Sequence, residues 1–259
     1  MKHILLLCAI TLGFYIGHAQ DEAATDITVD EIIDGYFENT GGVDNWHELK
    51  SMRVSGSMAQ GPMEFPGVII SARPNKQRVE VDLQGQKIIQ AYDGTDAWWI
   101  NPFMGGNDPQ IMPAEMAESM VEQSFESDFL DYAEKGHKVE LLGTKEVDGA
   151  QCYEVKLTKE NGTEEWHYFD MEYMVPIMQK TIAKEGPYEG QAAETYLSDY
   201  EEVGDSGIIM PMYMETRVMG AKQFSIRMSS VELDVEVNDE MFAFPKNTEE
   251  TDETDGGGK

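Results

Sequence analysis

At 259 residues, with 49 acidic against 19 basic side chains and a net charge of −30, the chain has room for one large all-β domain or two small ones. That acidity opposes nucleic acid and anionic lipid headgroups as direct partners, because both contacts draw on Lys and Arg. It describes solubility rather than fold.

Lys2 followed by the apolar run LLLCAITLGFYIG has the form of an export signal and is too short to span a bilayer comfortably. Small residues at Gly17 and Ala19 place cleavage before Gln20, leaving residues 1–19 as signal peptide and a mature chain of 18 basic and 49 acidic residues, net −31. The alternative, a lipid-anchored cysteine, fits Cys8 poorly, since only seven residues precede it and it lies inside the apolar run. Cys152 is then the one mature cysteine, so no internal disulfide forms. Its setting, QCYEVKL, reads as a buried apolar group on a strand.

Thr28 and Glu31 form a capping-box pattern, and Val29, Ile32, Ile33, Tyr36 and Phe37 follow on one helical stripe up to a Gly41-Gly42 stop. A second short helix is predicted over Val43 to Leu49. From Ser51 the pattern changes to alternation cut by turn signals: RPN at 73–75, QG at 84, DG at 93 and 148, NG at 161, and Gly-containing breaks near 186, 204 and 220. Such turns connect antiparallel neighbours, so the spacing predicts ten to twelve strands in meander order, without a βαβ rhythm. One stretch interrupts them. PAEMAESMVEQSFESDFLDYAEKG opens with Pro113 and sets Met112, Met116, Met120, Val121 and Phe125 against Glu115, Glu118 and Glu122, the signature of an amphipathic helix. Residues 247–259 form an acidic, glycine-rich tail with nothing to bury, so the domain spans 20–246 and finishes near Pro245.

The segment YDGTDAWWINPF, residues 92–103, is the most informative. Adjacent strand residues point to opposite faces, so Trp98 and Ile100 share one side while Ala97 and Trp99 share the other. The preceding KIIQAY is also apolar on both sides, which predicts a sheet covered on both faces. A long curved antiparallel sheet with the two amphipathic helices laid across its concave side, a half-barrel with a lid, meets that requirement. The alternative is the same architecture with a filled interior, serving protein-protein interaction or envelope structure. Seventeen methionines favour a surface that repacks around variable apolar guests.

No catalytic constellation is present. The sequence lacks a Gly-x-Ser-x-Gly elbow, a His-Glu-x-x-His pair and a complete EF-hand loop, and the terminal GGGK has no following helix. Three mature histidines occur, His47, His137 and His167. Glu165 and His167 share a strand face, but two ligands do not make a metal site, and a solvated or cross-strand pair is the simpler reading. No enzyme activity, cofactor or metal is expected.

Three segments, ARPNKQ (72–77), DGTDAWWINPF (93–103) and MFAFPKN (241–247), resemble in order the periplasmic lipoprotein carrier family LolA. The resemblance is good over residues 51–103 and at the last strand; residues 137–236 have longer hairpins than LolA proper, which leaves room for a related member with different cargo. It implies an incomplete antiparallel barrel closed by helices over a hydrophobic cavity, and a monomeric periplasmic carrier. That family takes acylated lipoproteins from an inner-membrane ABC exporter to an outer-membrane acceptor. Arg73 matches the family arginine that hydrogen-bonds helix backbone in the lid; read alone, Arg73-Pro74-Asn75 is a hairpin turn with Arg in water. The resemblance and the two-sided strands together nominate Met112, Met116, Met120 and Phe125 as a moving wall, and Phe65, Phe103 and Trp98 or Trp99 as the fixed wall.

Overall fold

The computed structural model describes residues 27–122, 126–184 and 186–245. The expected signal peptide and its cleavage site, the acidic tail, Phe125, and the side chains of Glu115, Glu118 and Glu122 lie outside them.

Helix α1 (Val29–Asn39) starts on the capping box: Thr28 N donates to Glu31 Oε2 at 2.7 Å, and Glu31 N donates to Thr28 Oγ1 at 3.2 Å. After Gly41-Gly42 comes α2 (Val43–Glu48). Gly41 has φ +114°, and a Cβ there would lie 2.6 Å from Gly207 O, so only glycine lets this link pass so close to the strand connection behind it.

Strands β1 (Ser51–Gln60), β2 (Met63–Ala72), β3 (Lys76–Leu83), β4 (Gln86–Tyr92), β5 (Ala97–Asn101) and β6 (Gly106–Ile111) run outward from the centre of the sheet. The chain then crosses by way of α3 (Ala114–Glu122) to the opposite edge. It returns through β7 (Lys138–Val147), β8 (Ala150–Thr158), β9 (Glu164–Asp170), β10 (Pro176–Ile182), β11 (Ala192–Glu202), β12 (Ile209–Val218) and β13 (Ala221–Leu233). Strand β13 pairs antiparallel with β1, which joins the two meanders into one curved, unclosed sheet of thirteen strands.

Three hairpins turn at Gln84-Gly85, Asp148-Gly149 and Met219-Gly220, each with both φ values positive, as a two-residue turn matching strand twist requires. Thirteen strands exceed the ten to twelve expected. Strand β6, GNDPQI, has no apolar alternation, and the turn between β9 and β10, Met171–Val175, has no glycine or proline. Asp170 builds that turn instead, its Oδ1 accepting from the backbone N–H of Glu172 and Tyr173 at 2.9 Å.

Cross-strand register fixes the faces. Ile32, Ile33 and Phe37 of α1 pack with Trp46 and Leu49 against Val155, Leu157 and Phe169 of β8 and β9, closing one end of the concave face. At the other end Met112 and Met120 cover Tyr92, Ala97 and Trp99. On the convex face Phe242 seals Ile70 and Ala72. Farther along that face Lys180 sits 4.5 Å over the Trp166 ring and Arg217 4.1 Å over Tyr196. The strands that carry the two tryptophans are thus covered on both faces, as their pattern predicts.

Candidate ligand-binding face

Across the middle of the concave face one row of side chains crosses five strands in register: Leu197, Met214, Ile226, Met58 and Phe65. Beside it Ile69, Val79, Val81 and Ile88 continue over β2, β3 and β4. No helix named above packs on this central stretch, which forms an open groove of about 600 Å³ lined by Met58, Met63, Phe65, Val81, Ile88 and Phe103. A recess of about 100 Å³ between Val54, Gly67, Ile226 and Met228 deepens it toward the sheet centre. The walls are mainly aliphatic, aromatic or thioether, with Gln60, Gln84 and Gln90 also lining the groove and Ser57 and Glu80 the recess, a predominantly apolar surface suited to hydrocarbon.

The nominated residues separate into groups. Phe65, 8% exposed, and Phe103, 51% exposed, both line the groove. Trp99 lies on the concave side but is buried beneath Met112 and Met120. Trp98, the other of the two tryptophans offered for the fixed wall, points to the convex face and does not line the groove; its Nε1 donates to Phe242 O at 2.7 Å. Met116 and Val121 are about two-fifths exposed, because α3 is short and packs mainly on β5, one strand's width, which cannot cover the whole apolar stripe.

Arg73 leaves the β2–β3 turn and reaches the end of α2. Its Nε donates to Leu49 O at 2.7 Å and Nη2 to Trp46 O at 2.8 Å, filling carbonyls left over at the helix terminus, while Nη1 pairs with Glu126. Glu126 also pairs with Lys135 at 2.7 Å. One planar guanidinium therefore ties α2 to the segment crossing from α3 to β7.

A second cavity, of about 490 Å³, was not apparent in the sequence. It lies between α1, α2, that crossing segment, Lys159 after β8, and β9 to β12, and is lined by Tyr36, Trp46, Phe129, Leu197 and Met210, with a polar floor. In the floor Glu165 Oε2 accepts from Gln179 Nε2 at 2.9 Å and lies 3.2 Å from His167 Nε2. Lys159 Nζ bridges Glu165 at 3.0 Å and Asp128 at 2.8 Å. Burial pushes the Glu165 carboxyl up, but the hydrogen bond from His167 and the charge of Lys159 outweigh it and pull the group down to about 2. The Glu165/His167 pair was visible as a shared strand face; Lys159, Gln179, Tyr36 and Asp128 come from four other segments, so only tertiary register assembles them.

A folded-state value below the ordinary 4.5 means that Glu165 stabilises the protein above pH 4.5 and that this contribution fades as pH falls toward 2. The contribution is about 3 kcal/mol at neutral pH. Thermal melts of the wild type and Glu165→Gln should differ most near pH 7, with the gap narrowing below pH 4.5 and closing only as pH reaches about 2; a constant gap would refute the assignment.

Residues 79–245, more than half of the chain, match a family model described as "Uncharacterized protein"-like. The chain belongs to that family, and its fold is LolA-like. No curated protein matches the sequence. A LolA superfamily protein from Nitrosomonas europaea is 12% identical, with a TM-score of 0.56 over 84% of this chain and 98% of that one. A DUF1329 family protein from Desulfovibrio piger is 15% identical, at 0.55 over 83% and 97%. A domain from Vibrio parahaemolyticus assigned to outer membrane lipoprotein sorting is 10% identical, at 0.55 over 82% and 94%. At these identities the likeness is one of fold: a LolA-like half-barrel. Among the described residues no helix is long and apolar enough to cross a membrane, and no group of three or more His, Cys, Asp or Glu could hold a metal ion.

Proposed function

We propose that this LolA-like protein is a periplasmic carrier that shields acyl chains of lipoproteins or related lipids on its concave face during transfer to the outer membrane. One observation carries the reading: the apolar row from Leu197 to Phe65 opens into a groove of about 600 Å³ instead of being filled by a helix. A chain of about sixteen carbons costs on the order of 12 kcal/mol to leave in water, so acylated cargo does not cross an aqueous gap unassisted. The groove supplies the missing contact area. The fold shared with a lipoprotein-sorting domain supports the same reading, and an ABC exporter and an outer-membrane acceptor are the partners it implies.

In this proposal α3 is the moving wall. Shifting it off β5 would uncover Trp99, Tyr92 and Ala97 and extend the groove toward one edge of the sheet. The role is binding and release, with no bond made or broken.

Purified protein titrated with acylated lipoprotein, or with a fluorescent acyl probe, should show saturable binding. Val81 lines both the groove and its deeper recess and is only half-buried, so Val81→Asp should fold yet bind at least about tenfold more weakly, because hydrocarbon would have to desolvate a carboxylate. Absence of saturable binding, or equal binding by Val81→Asp, would refute the carrier.

A further inference from the structure

Resting on the carrier reading, we infer that the 490 Å³ cavity is a headgroup subsite selective for an uncharged, hydroxyl- or amide-bearing amphiphile. The cavity and the groove share the concave face. Leu197, in the cavity wall, is the first member of the row that continues through Met214, Ile226 and Met58 to Phe65 in the groove. An amphiphile with its hydrocarbon along that row has its polar end at the cavity. There a neighbouring row, sharing β11 and β12 with the apolar one, is polar: His167, Gln179, Thr195 and Thr216 are in register from β9 to β12.

The charge balance selects the headgroup. Three carboxylates, Glu126, Asp128 and Glu165, line the cavity against one lysine. That lysine, Lys159, is already held by Asp128 and Glu165. A phosphate or a fatty-acid carboxylate would enter a negative site and find no uncommitted cation, so burying it would go uncompensated. An ammonium gains little more, because Glu165 already has Lys159, His167 and Gln179, and Glu126 has Arg73 and Lys135.

What the site offers is neutral hydrogen-bonding capacity. Among the described residues the second ring nitrogen of His167 and Oε1 of Gln179 have no hydrogen-bond partner, and the Tyr36 hydroxyl lies beside the Ser127 side chain and near Tyr200. Hydroxyls and amides both donate and accept, and so match an acceptor, an ambivalent imidazole and two hydroxyls.

The test is competition for an acyl probe at pH 8 by three ligands with one sixteen-carbon chain: 1-monopalmitoylglycerol, palmitate and hexadecylamine. The glyceride should bind about tenfold more tightly than either charged ligand, the effect of one or two satisfied hydrogen bonds. Gln179→Met, close in volume, should reduce that ratio to about two while leaving palmitate binding unchanged; His167→Leu should do the same. The affinity ratio within each variant is the readout, so a variant of lower stability still reports. If all three ligands bind equally, or the ratio survives both substitutions, the subsite is overturned and the carrier stands. If none binds saturably, the carrier itself fails.

Discussion

Trp98→Ala is expected to lower folding stability by about 3–5 kcal/mol, the range for truncating a fully buried tryptophan. The indole is 1% exposed and stands edge-on to Phe244 with centroids 6.1 Å apart. Arg78 lies over its ring at 5.6 Å and donates through Nη1 to Met241 O at 2.9 Å, so both residues fasten the C-terminal segment to the back of the sheet. In a domain of this size the loss corresponds to a melting point lower by about 6–20 °C. Trp98→Phe keeps most of the packing but leaves Phe242 O without its donor, for about 1–3 kcal/mol. Acyl binding at a temperature where the variant remains folded should be unchanged, since this indole faces away from the groove. A melting point within 1 °C of wild type for Trp98→Ala would refute the assignment.

Arg73→Leu has the second largest expected effect, about 2–4 kcal/mol, because two helix-end carbonyls lose their donors and Glu126 loses one of its cations. The change should also be local. Amide hydrogen exchange should accelerate in α2 and over residues 126–136, while β7 and β8 stay protected. Arg73→Lys should rescue little, since a point charge cannot serve Trp46 O, Leu49 O and Glu126 with one planar fork. If the carrier reading holds, the same variant should release a bound acyl probe faster. Unaltered exchange in α2 and the crossing segment would remove Arg73 from any role in holding the cover.

Much of this architecture was readable locally. The Thr28/Glu31 box starts α1, and the Gln-Gly and Asp-Gly pairs mark tight hairpins, because each signal acts within a few residues. The two adjacent tryptophans were also sufficient to require cover on both faces. Which indole meets which cover was not readable, since it depends on β13 pairing with β1 and on where residues 235–245 travel after the last strand. For the same reason the Glu165/His167 pair was readable as a shared strand face but not as the floor of a cavity: the inward side of EEWHYFD carries Glu, His and Phe while its outward side carries Trp and Tyr, the reverse of what hydrophobicity alone suggests. Strand β6 is not legible locally, because Gly106, Asn107, Asp108 and Pro109 all disfavour strands and pairing with β5 overrides them.

The open sheet ends in two unpaired margins, β6 and β7. Bare main-chain donors and acceptors there could recruit a strand from another molecule and seed fibres. On one margin Asp108 and Pro109 interrupt the ladder, the proline having no N–H to offer; on the other Lys138, Glu140, Lys145 and Glu146 alternate in charge around an irregularity at Leu141/Gly143. A half-barrel that must stay unsealed thus resists polymerisation through its own borders, and replacing Pro109 with valine would relax that safeguard.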